Sequence, residues 1–77
     1  MRCVACRNRA TEFHHIKSKK SGGPDEIFNL MPIDRICHTM VHAKGLVWFA
    51  NKYSGVKNFL LANGWEYSEL KNKWTRY

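Results

Sequence analysis

The sequence predicts a small α+β domain: an antiparallel hairpin, a helix behind it, then a second helix and a small terminal hairpin. Three observations carry this. Residues 11–17 and 29–33 read as two short strands separated by a Gly-Gly-Pro break. Asp34 stands as a helix cap before a run with helical spacing that extends to about Tyr53. Beyond it, a stripe of apolar residues stops at Asn63-Gly64, and aromatic residues bracket the last thirteen positions.

At 77 residues the chain makes one domain, residues 1–77, with a core small enough that a metal staple would help it. The formal charge is +7, from 13 Lys and Arg against 6 Asp and Glu. That excess favours a polyanionic partner, nucleic acid before an anionic membrane, although a basic surface alone also serves solubility. The N-terminus lacks the apolar stretch of a signal peptide, and no run approaches a membrane span, so a cytoplasmic protein is expected. Three cysteines, an odd number, point to thiols or zinc rather than disulfides.

Taken in order, Cys3-Val4-Ala5-Cys6 reads as a zinc-knuckle turn, with spacing that suits two ligands of a tetrahedral ion. In the first strand Phe13 and His15 share one face, and His14 and Ile16 the other. Residues 18–28 form the loop of a long hairpin, broken by Gly22-Gly23-Pro24 and carrying Lys19 and Lys20. Pro32 cannot donate to a ladder, so the second strand must place it at an edge or an end. Asn29, at its start, has an amide that can bridge backbone groups across the loop. In the helix, Gly45 costs about 1 kcal/mol against Ala if the helix is continuous, or else marks a kink. Ser54 reads as the cap of the second helix, from about Gly55 to Asn63, with Val56, Phe59 and Leu60 as its apolar stripe. The final run reads as a hairpin packing Trp65 against Trp74. Its basic residues among aromatics could stack on nucleic acid, but closing a small core is the preferred role.

The chemistry lies in the four histidines. His38 and His42 are four apart on a helix and can reach one point. His14 and His15 face opposite ways on a strand, so one can complete a metal site while the other is left beside it to take a proton. Glu12, two residues before His14 on the same face, is placed either to orient a ligand imidazole or simply to meet solvent.

The order His14-His15-Ile16, then Gly-Gly-Pro-Asp-Glu, then Asn29-Leu30, then Cys37-His38 with His42 resembles the HNH nuclease motif of the ββα-metal (His-Me finger) superfamily. The histidine set is most similar to that of the DNase colicins. The resemblance covers residues 3–42, leaving 43–77 as a C-terminal helical extension. It implies His14, His38 and His42 as metal ligands, His15 as general base, and Asn29 as the residue that pins the hairpin and so fixes His15. Many relatives complete a four-cysteine zinc site just before the helix histidine. Here the matching positions are Asp34 and Cys37, so the aspartate replaces a cysteine. Two readings stay open: a zinc on Cys3, Cys6, Cys37 and Asp34, or an empty site with three reduced thiols.

The expectation is therefore a metal-dependent endonuclease that hydrolyses DNA phosphodiester bonds through one divalent ion. Three imidazoles suit zinc, nickel or cobalt, and manganese or magnesium are further choices for the working ion. Lys17, Lys19, Lys20 and Arg35 are the expected phosphate contacts. The partner is expected to be double-stranded DNA read with little sequence preference. A homodimer, or a partner protein in a phage-infected host, would supply any specificity so short a chain lacks. The competing reading is a catalytically silent, zinc-stabilised nucleic-acid-binding module, and a third is a metal-stabilised protein-interaction domain.

Overall fold

A computed structural model describes all residues, 1–77, of the chain. Strand β1, Glu12–His15, pairs antiparallel with β2, Leu30–Ile33, in a register that sets Glu12 opposite Ile33 and His15 opposite Leu30. Pro32 sits in β2 without loss, because the sheet has only two strands. The outer edge of β2 is met by the knuckle instead, where Val4 N–H donates to the Pro32 carbonyl at 3.1 Å. The intervening loop carries two one-turn 3₁₀ segments, Lys19–Ser21 and Ile27–Asn29.

Asp34 caps helix α1, Arg35–Lys44, its side chain accepting the Cys37 N–H. The helical run expected to reach Tyr53 does not continue. Gly45 takes φ +90° and ψ 158°, a region open essentially to glycine alone, and a second helix, α2, begins at Leu46 and ends at Lys52. The kinked alternative is thus the nearer of the two readings, and the break is sharper than a kink.

Helix α3 spans Ser54–Ala62. Its cap residue is Tyr53, with no side-chain capping bond, and Ser54 is already helical. The serine misses the cap because α2 ends at Lys52 and only Tyr53 separates the helices. The Tyr53 carbonyl itself takes the Val56 and Lys57 amides. Gly64, at φ +84°, ends α3 as expected.

The terminal hairpin pairs β3, Glu66–Ser68, with β4, Lys73–Thr75. The cross-strand partner of Trp74 is Tyr67, ring centroids 5.7 Å apart, and not Trp65. Trp65 precedes β3 and is buried. Its indole N–H donates to the Phe28 carbonyl at 2.7 Å, the acceptor that a buried indole requires.

The core joins β2 to the three helices: Met31 and Ile33 of β2, Cys37 and Val41 of α1, Phe49 and Ala50 of α2, and Val56 and Leu60 of α3. Cys3 of the knuckle and Trp65 close it. Only eleven of 77 residues are buried, so any further crosslink between elements weighs heavily on stability. No helix is long and apolar enough to cross a membrane.

Candidate active site

The cap at Asp34 turns the chain so that α1 lies across β1, and three imidazoles meet there. His38 and His42, one turn apart on α1, have ring centroids 4.8 Å apart. His14 reaches them from β1, at 5.3 Å from His38 and 5.1 Å from His42. One ring nitrogen from each lies within 4.8 Å of the others. Burial, and then repulsion from His42, His38 and His15, pulls His14 down to about 4, so it is neutral at pH 7 with a lone pair to offer.

Glu12 is drawn into this group. Its Oε1 lies 2.6 Å from Nδ1 of His38 and its Oε2 accepts from Nε of Arg35 at 3.3 Å. The bond to His38 is the main reason its carboxyl is held below the usual range. An ionised Glu12 accepts the hydrogen bond of Nδ1–H and leaves Nε2 of His38 free to bind a metal. Three imidazoles, one already oriented by a carboxylate, form a donor set suited to a borderline divalent ion.

His15, next along β1, lines the same open cleft of about 500 Å³ as the three imidazoles, together with Lys19. Its Nε2 lies 2.7 Å from Oδ1 of Asp25. The bond to His15, and then the charge of Lys19, keeps Asp25 below its ordinary value. The aspartate therefore accepts from Nε2, and Nδ1 is the His15 ring nitrogen left free of it. Asp25 is a site residue that the sequence pattern does not single out. Its only signal was an acid directly after Gly-Gly-Pro, and nothing in strand periodicity says where a loop carboxylate will fold back.

The fully buried Asn29 folds that loop back. Its Oδ1 accepts the Lys17 N–H at 2.7 Å, and its Nδ2 donates to the carbonyls of Lys17 at 3.0 Å and Pro24 at 2.9 Å. The loop is drawn so close that a Cβ on Gly23 would stand 1.8 Å from the Lys17 carbonyl oxygen.

A second cluster lies at the start of α1. One ligand atom each from Cys3, Cys6, Asp34 and Cys37 falls within 4.8 Å of the others. Asp34 uses both oxygens: Oδ1 accepts from the Cys37 N–H and Oδ2 from the Cys6 thiol, each at 2.8 Å. Burial pushes the Cys37 thiol well up, and Cys6 is raised by burial and by Asp34. Cys3 is also buried, but backbone N–H groups of Cys6, Asp34 and Ala5 outweigh burial and bring it below its ordinary value. Three thiols and one carboxylate converging beside amide donors match the donor chemistry of a closed zinc site.

Among the expected phosphate contacts, Lys19 lines the histidine cleft, and Lys17 lines a neighbouring cleft that shares Ile16 and Ser18 with it. Lys20 is exposed on the loop without lining it, and Arg35 is exposed on the Glu12 side.

A family model described as HNH endonuclease matches residues 3–44, which takes in the knuckle, both strands and all of α1. No curated protein and no solved structure matches the chain.

Proposed function

We propose that this chain, which belongs to the HNH endonuclease family, hydrolyses phosphodiester bonds of DNA with one divalent ion on His14, His38 and His42 and with His15 as general base. The observation that supports this most is the fourth imidazole. A domain that only needed a metal for folding has no use for His15 held by Asp25 beside the same cleft.

When bound, the ion would supply Lewis acidity to a phosphate oxygen and to the leaving oxygen. The protein supplies the rest. His15 takes the proton of the attacking water at Nδ1, because Nε2 is committed to Asp25. Asp25 then balances the imidazolium. Asn29 keeps the loop that carries Asp25 pinned to the strand that carries His15. Glu12 holds His38 in one ring orientation. The cysteine cluster would hold a separate, structural zinc.

The test is nicking of supercoiled plasmid with magnesium, manganese, nickel or zinc, for the parent and for His15→Ala. The variant should bind metal as the parent does and turn over roughly 10²–10⁴ times more slowly. Undiminished cleavage would remove His15 from the mechanism. DNA binding without nicking under any ion would leave the silent binding module instead.

A further inference from the structure

The C-terminal hairpin forms a second cleft that opens onto the histidine cleft. It has a volume of about 690 Å³, and Ile16 and Ser18 line both. Lys17 stands at the junction, with its backbone N–H and carbonyl both fixed by Asn29. Lys71, Lys73 and Arg76 supply cations along the other wall, and Trp74 and Tyr77 supply aromatic surface. None of the chain's six acidic residues lines it. Arg76 is held in place from two sides: its guanidinium carbon lies 3.7 Å from the Phe28 ring centroid, and its Nε donates to the Asn63 carbonyl at 2.8 Å.

We infer that this cleft binds an unpaired nucleic-acid strand running on from the bond at the histidine cluster. Four cations in a groove lined by no acidic side chain fit a phosphate backbone. The aromatic pair decides between strand types. A duplex turns its bases inward and gives Trp74 and Tyr77 nothing to stack on, whereas an unpaired strand presents a base face to each. Continuity decides the direction, because the two clefts share a wall at Ile16 and Ser18. The inference rests on the nuclease reading for the position of the bond, but not for the binding itself.

The experiment uses full-length His15→Ala protein, loaded with zinc so that it binds without cutting. Fluorescence anisotropy compares a labelled blunt duplex with the same duplex bearing an unpaired ten-nucleotide flank. The flanked substrate should bind roughly tenfold more tightly, the scale of stacking one or two bases. Adding Lys71→Glu and Lys73→Glu should abolish that preference, leave blunt-duplex binding nearly unchanged, and lower the log–log salt slope on the flanked substrate by about 1.4. Both lysines are exposed, so melting temperature should not move. Tyr77→Ala, at a residue that is 98% exposed, should weaken flanked binding alone. Equal affinity for the two substrates in the starting protein would overturn the inference. So would an equal loss on both substrates in the charge-reversed variant, which would mean unspecific attraction. Plasmid nicking by protein with His15 intact is scored separately, so failure of the nuclease reading is told apart from failure of the cleft.

Discussion

Asp34 divides its carboxylate between two tasks, and on the sequence those tasks competed. A cap needs one acceptor oxygen and a zinc ligand needs one donor oxygen. The structure gives Oδ1 to the Cys37 amide and Oδ2 to the cysteine cluster. Asp34→Asn should keep the cap and weaken the cluster's hold on zinc. Asp34→Ala should lose both, with about 0.5–2 kcal/mol attributable to the cap. Elemental analysis and thermal melts of the two variants separate the contributions. An alanine variant that keeps full zinc would exclude the aspartate as a ligand. His14 yields a second prediction. Its ordinary value is 6.5 and the folded chain holds it at about 4, so the unfolded chain binds the extra proton between those limits. The stability tied to neutral His14 is complete above about pH 6.5 and drains away as pH falls towards 4. Melts in chelator should show the parent losing more over that range than His14→Asn. Parallel curves would mean the burial does not act as described. At this scale the residue types and spacings of the histidines and cysteines were legible, because i, i+4 on a helix and alternation on a strand fix direction. Asp25 was not, because a loop residue's direction depends on the fold of the loop, here on Asn29 reaching Pro24 and Lys17.

Among the elements, β1, β2 and the start of α1 followed from pattern, cap and breaker residues. The break at Gly45 did not. Apolar spacing runs through it, and a penalty of about 1 kcal/mol is compatible with a continuous helix. What decides is ψ, which a sequence does not display. A Cβ at Gly45 would meet open space, so only its backbone conformation opposes a substitution. Gly45→Ala should therefore cost about 1–3 kcal/mol in urea melts without creating any clash. A neutral result would imply that α1 and α2 can merge into one helix. Ser54 shows the same limit from the other side. Its residue type suits a cap, but the cap position was taken by Tyr53 once α2 ended one residue earlier.

For the molecule as a whole, the family match and the legible half coincide at residues 3–44. The rest was hard to read because its aromatics can serve a hairpin, a core or a ligand, and different ones take different places. Trp65 enters the core, while Trp74 pairs with Tyr67. The two halves meet at Phe28, whose carbonyl takes the Trp65 indole and whose ring lies under Arg76. A peptide ending at Lys44 would keep every candidate ligand of both clusters. It would lose Phe49, Ala50, Val56, Leu60 and Trp65 from a core of ten. Circular dichroism of that peptide with zinc should show no cooperative melt, and a sharp transition would prove the shorter unit self-sufficient. The same feature bears on transplantation. Grafting this motif into another scaffold requires a surrogate for what covers Phe28, and the portable unit is longer than the recognisable one.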